Sequence, residues 1–279
     1  MFTTNPNLIQ DPPLPGSSQP TPLILIHDGG GTIFSYYCLG DLGRSVHGIA
    51  NPHYESGQRW EGGIPEMARH YLSFVRDAVP NGSGDVILGG WSLGGLVALE
   101  LARLLESTED PTLGLRVVGI VMVDSVCPVV GEGWKPPAPF VPHAVQWSEF
   151  TQMETREKVT RCFEEARRMV DEWTLPVWEG GDGSKGSVGS RPPPVVLLRA
   201  MEAVPVEGEG MTKVDAHRSD RQLGWGKYRK DLVTKVIDIP GHHFNIFHTD
   251  DTLDSTTEGI KKACVELETI NDSRASARA

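Results

Sequence analysis

The chain has 279 residues, with 26 Lys and Arg against 37 Asp and Glu, for a formal net charge of −11. That charge argues against a general binder of nucleic acid, and the length is enough to bury a sizeable core within one large domain. The 4 cysteines form no CxxC pair and the histidines lack zinc spacing, so reduced, packed thiols and no metal are expected. The start of the chain holds no apolar run of signal-peptide length, and nothing approaches the roughly 18 apolar residues of a membrane span. The chain therefore reads as a soluble, cytoplasmic protein with no membrane partner.

Prolines 12, 13, 15, 20 and 22 predict a disordered arm over residues 1–22. Five continuous apolar runs follow, each ending in small or polar residues. Leu23–Ile26 stops at His27-Asp28-Gly29-Gly30-Gly31, and Val86–Leu88 runs into Gly89-Gly90-Trp91-Ser92. Val117–Val123 stops at Asp124, Val195–Leu198 is the fourth run, and Val233–Ile239 ends at Pro240-Gly241-His242-His243. Continuous rather than alternating runs suit strands buried on both faces, as in a parallel sheet. Between them Ile64–Val79 and Leu93–Leu105 read as helices. The pattern predicts one α/β domain over 23–269, with function gathered outside the carboxyl ends of its strands.

The rhythm breaks over residues 129–193, which are Pro-rich, then helical over Thr155–Trp173, and contain Trp134, Trp147, Trp173 and Trp178. Residues 180–190 (GGDGSKGSVGS) read as a flexible linker. A helical lid inserted over the sheet is the expectation, with tryptophans suited to a flat, partly aromatic ligand or to anchoring the lid itself. Within the linker Gly181-x-Gly183-x-x-Gly186 has the spacing of a dinucleotide fingerprint, but it follows no strand and opens no helix, so no nucleotide cofactor is expected. Residues 270–279 read as a disordered polar tail.

Gly90-Trp91-Ser92-Leu93-Gly94 is a G-x-S-x-G nucleophile elbow between a predicted strand and a buried helix. Glycines flank the serine because side chains there would clash in the strained turn. The turn lifts the hydroxyl clear of the sheet and leaves the Leu93 N–H at the helix start as an oxyanion donor. A serine needs a base, and the base needs an acid to orient it. His243 is the preferred base over His242, because Gly-x-His-aromatic presents its third residue at the turn. Asp124 is the preferred acid, with Glu202 after the fourth run as the competitor. The second oxyanion donor is expected from the glycine loop after the first run, Gly29 first and Gly30 next.

Several segments together resemble the thioesterase domains that release products from polyketide synthases and nonribosomal peptide synthetases. The closest likeness is to those ending fungal non-reducing polyketide synthases. The pieces are His27–Tyr36, Gly89–Gly95, Val123–Pro128, Pro194–Ala200, Leu223-Gly-Trp225 and Pro240–Asn245. The resemblance implies an α/β-hydrolase fold with a lid and a Ser92, Asp124 and His243 triad. It also implies an acyl substrate carried on the phosphopantetheine arm of an acyl carrier protein, with no cofactor of the enzyme's own. The chain looks free-standing, acting in trans; hydrolysis, lactonisation and carbon–carbon cyclisation stay open. The same triad would serve a carboxylesterase, lipase or acyltransferase, and a non-catalytic α/β-hydrolase binder is the remaining class. Docking of an acidic carrier would need a basic patch. The lid-helix cations fit i,i+4 pairs instead, Glu157 with Arg161 and Glu164 with Arg168.

Overall fold

A computed structural model of the chain describes residues 4–14, 19–79, 82, 84–107, 114–128, 135–142, 145, 147, 149–178 and 191–276. Strands β1 (Asn7–Gln10), β2 (Leu23–Ile26), β3 (Val46–Ile49), β4 (Gly84–Trp91), β5 (Leu115–Val123), β6 (Val195–Ala200) and β7 (Val233–Ile239) form one sheet, in the order β1-β3-β2-β4-β5-β6-β7. All neighbours pair in parallel except β1, which runs antiparallel to β3. The helices are α1 (Phe34–Tyr37), α2 (Gly63–Asp77), α3 (Leu93–Ser107), α4 (Met153–Glu172), α5 (Trp225–Tyr228) and α6 (Asp250–Ser276).

The runs of β2, β4, β5 and β6 are continuous because the central sheet is covered on both faces, whereas β7, expected to be buried likewise, is an edge strand that exposes Thr234, Lys235 and Asp238. Along a strand, successive side chains point to opposite faces. Ile24 and Ile26 of β2, Ile120 and Met122 of β5, and Val195 and Leu197 of β6 pack with α2 and α3. Their neighbours Leu25, Val121, Val123, Val196 and Leu198 pack with α1 and α6 on the other side. A Cβ at Gly119 in β5 would strike the Leu267 side chain, so the glycine lets α6 settle onto the sheet.

Two expectations of disorder are corrected. Within 1–22, β1 precedes the proline cluster and adds to the sheet edge. Asn5 exchanges two hydrogen bonds with the Ala50 backbone (2.9 and 3.0 Å), and Gln10 Oε1 accepts from the Leu42 N–H at 2.9 Å. Its partner β3 escaped notice because it holds only four residues and a glycine, where a Cβ would lie 2.7 Å from Ile9. At the other end α6 continues to Ser276, so residues 270–276 are helical. Arg116 donates to Asn271 Oδ1 at 2.5 Å, and Ser273 and Ser276 bond back to carbonyls one turn earlier. The composition of that stretch is polar because it projects past Leu267 into solvent. The 180–190 linker, with its glycine motif, and Trp134 lie outside the described residues. Among the described residues, no helix is long and apolar enough to cross a membrane.

Candidate active site

Parallel pairing places residues far apart in sequence side by side. Ile26 of β2 lies opposite Gly90 of β4, and Trp91 opposite Val123 of β5. The residues that follow these strands, His27–Gly31, Ser92 and Asp124, therefore meet at one edge of the sheet.

Ser92 occupies the left-handed region with φ 56°, where the chain turns from β4 into α3. A non-glycine residue there is uncommon and strained. The turn is tight enough that a Cβ at Gly90 would lie 2.6 Å from the Ile26 carbonyl oxygen; at Gly94 it would press closer still on the same oxygen. The Ser92 N–H donates to Val123 O (3.0 Å), and Ser125 Oγ donates to Ser92 O (2.8 Å), which pins the strained residue from both sides. Asp124 sits at φ 46°, the second strained position of this edge.

His243 bridges the two. Its Nε2 lies 3.0 Å from Ser92 Oγ and its Nδ1 lies 2.8 Å from Asp124 Oδ2. Both Asp124 and His243 are buried, while Ser92 is partly open. With the Nδ1 proton directed at the carboxylate, Nε2 presents a lone pair to the serine hydroxyl. That arrangement can move a proton from Ser92 Oγ to the imidazole. His242 is turned elsewhere: its N–H donates to Asn245 Oδ1 (2.7 Å) and its Nδ1 accepts from the Phe244 N–H (3.3 Å). Glu202 stays exposed, and its Oε1 accepts from Gly241 N at 3.3 Å, so it braces the turn that carries His243.

Leu93 opens α3, where the first N–H groups have no intrahelical acceptor. In the loop after β2, the Gly30 N–H donates to Asp28 Oδ1 (3.0 Å) and the Gly31 N–H to Asp28 O (3.1 Å). Gly30, the second choice as oxyanion donor, is thus engaged within the loop.

A family model described as Thioesterase domain matches residues 21–170. A probable thioesterase, gloN, of Glarea lozoyensis is 36% identical over 266 residues, covering 89% of this chain and 91% of the relative. Thioesterase AMT4 of Alternaria alternata is 36% identical over 274 residues, covering 95% and 93%. The chain belongs to the thioesterase family. It is an enzyme of the hydrolase class, similar to fungal thioesterases of secondary metabolism. The nonribosomal peptide synthetase imqB of Aspergillus flavus is 31% identical across 95% of this chain, a stretch equal to 8% of that protein. Among solved structures, the NocB thioesterase domain from a nocardicin cluster matches at 25% identity and TM-score 0.56, covering 88% of this chain and 94% of that one. The sheet and its flanking helices are those of the α/β-hydrolase-like thioesterases.

What orients Asp124 in this thioesterase came from no sequence motif. Burial would raise its carboxyl, but hydrogen bonds from Arg218 and His243 outweigh burial and hold it down at about 2. Arg218 Nη1 and Nη2 grip Asp124 Oδ1 and Oδ2 at 2.6 and 2.8 Å. Arg218 follows the 3-10 turn Lys213–Asp215, 94 residues beyond Asp124. Ser125 and Trp225 were also legible only as parts of resembling segments. Trp225 Nε1 donates to Ser125 O at 2.7 Å and braces the end of β5. Tyr36 does the same for β4, its hydroxyl accepting from Trp91 N (2.8 Å) and donating to Ile26 O (2.7 Å).

The glycine loop carries two titratable neighbours. Burial pushes the His27 imidazole down to about 4; its Nε2 lies 2.7 Å from Tyr71 Oη and its Nδ1 2.6 Å from Asp28 O. Burial pushes the Asp28 carboxyl up to about 7, against bonds from the Gly30 and Thr32 backbone.

Helix α4, in the stretch expected to form a lid, rests on this loop. A Cβ at Gly29 would lie 3.0 Å from Phe163 Cδ1, and one at Gly30 would lie 3.4 Å from Val159 Cγ1. The expected i,i+4 pairs are replaced by others. Lys158 bonds Glu154 (2.6 Å) and Glu55 (2.5 Å), Arg161 donates to Tyr54 O (2.9 Å), and Arg168 pairs with Glu165 (2.7 Å) and with Glu172. The difference is that α4 faces the 54–60 loop, whose backbone carbonyls and Glu55 carboxylate compete for the same cations. Of the tryptophans, Trp173 and Trp178 are buried anchors: Nε1 of the first donates to Glu100 Oε2 (3.1 Å), that of the second to Tyr228 Oη (3.0 Å). Trp147 lies under Arg156 Cζ, 6.0 Å from its ring centroid.

Proposed function

We propose that the chain is a serine thioesterase that releases a polyketide or peptide acyl chain from the phosphopantetheine arm of an acyl carrier protein. Ser92 Oγ attacks the thioester carbonyl as His243 Nε2 takes its proton, and Asp124 holds the imidazole in the required tautomer. The N–H groups of Leu93 and Gly29 face the developing oxyanion. Collapse expels the pantetheine thiol, which takes the proton from His243, and leaves an acyl–Ser92 ester. Water, or a nucleophile of the acyl chain itself, then gives its proton to His243 and attacks the ester carbonyl; the acyl–Oγ bond breaks as His243 returns the proton to Ser92, releasing the acid or the cyclic product.

The observation carrying this reading is the position of His243, 3.0 Å from Ser92 Oγ and 2.8 Å from Asp124 Oδ2. Similarity to a stretch of the peptide synthetase imqB supports a carrier-bound substrate. The test is a carrier protein loaded with an acyl chain, followed by mass spectrometry, alongside labelling by a fluorophosphonate. Wild type is expected to unload the carrier and to be labelled. Ser92→Ala, folded by circular dichroism, is expected to do neither. Undiminished labelling of Ser92→Ala would move the nucleophile elsewhere.

A further inference from the structure

We infer that Arg218 is a positioning residue that fixes the orientation of Asp124 and shares its charge, tempering the pull of that carboxylate on His243. The inference rests on the reading of Asp124 as the orienting acid.

The geometry is specific. The guanidinium fork reaches both carboxylate oxygens, at 2.6 Å (Nη1 to Oδ1) and 2.8 Å (Nη2 to Oδ2). Oδ1 also accepts from the Ala200 N–H (2.9 Å), and Oδ2 is the atom that His243 Nδ1 meets at 2.8 Å. Four donors on two oxygens leave the carboxylate no freedom to rotate. The fork is itself held: Arg218 Nε donates to Asp215 Oδ1 (2.9 Å), Nη1 to Ala200 O (2.9 Å) and Nη2 to Val214 O (3.3 Å). Asp215 is fixed in turn, its Oδ2 accepting from Thr212 Oγ1 (2.7 Å) and Val204 N (2.9 Å). The arginine side chain is only 10% exposed.

A cation needed merely to neutralise two buried carboxylates could sit anywhere between them. This one shares with His243 the oxygen that receives the imidazole proton. A carboxylate already bound by a guanidinium attracts an imidazolium less, and the fixed Oδ2 keeps the imidazole in the tautomer that presents Nε2 to Ser92. The other titratable groups around the pair are Ser92, bonded to His243, and His242; Glu202, Asp215 and His248 act on His242. The Trp91 and Phe244 rings close the remaining sides of His243, with centroids 5.7 and 4.8 Å away. Arg218 is the cation that meets Asp124 directly.

The experiment measures the pH dependence of kcat/KM on an acyl-N-acetylcysteamine thioester and of fluorophosphonate labelling, with melting curves, for Arg218→Met and Arg218→Lys. The acid limb of both profiles is expected to move up by about one pH unit in Arg218→Met and by less in Arg218→Lys. Rates below the limb should fall roughly tenfold, with KM within about twofold. A folded variant that melts earlier but keeps the wild-type limb would overturn the inference and leave Arg218 a stabilising residue only. Should Arg218→Met not fold, Arg218→Lys decides by the same limb, because it keeps a charge and loses the fork. Asp124→Asn is run in parallel: full activity there would remove the reading of Asp124, whatever the arginine variants do.

Discussion

Two loops meet at Ser92 and are secured in opposite ways. On the side of β5 and β7, Asp124 and His243 are buried and joined by charge-assisted bonds to Arg218 and Asp215. On the side of β2, the Gly29–Gly31 loop is covered by α4, which is tied down partly by the pair of Lys158 with Glu55, whose side chain is 55% exposed. Breaking a buried pair costs about 3–5 kcal/mol, whereas an exposed pair is worth about 0–1 kcal/mol. The comparison separates rigid chemistry from adjustable cover. Asp124 and His243 are locked at the ends of the strands by buried bonds, whereas α4 over the Gly29–Gly31 loop is held in part by an exposed pair.

The largest expected effects lie on the locked side. His243→Ala is expected to lower kcat by about 10⁶, as much as loss of the serine, since members of such a relay act as a unit. His242→Ala should stay within about tenfold, because its backbone and ring bond to Asn245 and Phe244. Steady-state kinetics of the two variants on one thioester settle the choice, and a near-normal His243→Ala would transfer the role. Asp124→Asn should cost about 10⁴, the loss seen when a related triad acid becomes an amide and favours the wrong tautomer. Glu202→Gln, which keeps the acceptor for Gly241, should change kcat by no more than a few fold. The reverse ranking would hand the acid role to Glu202.

On the covered side the effects are smaller and should be reversible in pairs. The methyl of Gly29→Ala would press on Phe163 at 3.0 Å and push either the loop or α4 outward. A fall in kcat of about ten- to a hundredfold is expected, up to the lower end of what losing an oxyanion donor costs. Gly29→Ala with Phe163→Ala should recover much of that loss, and equal kcat for the single and double variants would show that the contact does not position Gly29.

The smallest effect is on stability against pH. His27 is held down at about 4 against 6.5 unfolded, so its contribution is complete above pH 6.5 and is lost as pH falls toward 4. Asp28, raised to about 7 from 3.8, has the opposite sign: its contribution is complete below pH 3.8 and is lost as pH rises toward 7. The two adjacent residues offset one another between about pH 4 and 6.5. Relative to wild type, His27→Gln should therefore lose stability with rising pH over that window, and Asp28→Asn should gain it. Melting temperatures at half-unit intervals check this; parallel curves for all three proteins would refute it.

What could be read from the residues alone was whatever is encoded locally. Strands buried on both faces must be apolar at every position, so β2, β5, β6 and most of β4 stand out, whereas β1 (NLIQ) and β3 (VHGI) break their apolar residues with polar side chains or glycine and show no pattern. The elbow was legible because Gly90 and Gly94 stand at fixed spacing around Ser92, although the backbone that demands them includes Ile26 of the neighbouring strand. Asp124 and the histidine pair were narrowed by their places at strand ends. The preference for His243 over His242 was legible in the Gly-x-His-aromatic pattern, but the contacts that aim its ring, through the Gly241 turn bonded to Glu202 and Asn245, belonged to the tertiary structure. So did Arg218, the anchoring of Trp173 and Trp178, and the partners of the α4 cations. Each of these joins residues remote in sequence through the direction of a side chain, and no local periodicity or spacing records that direction.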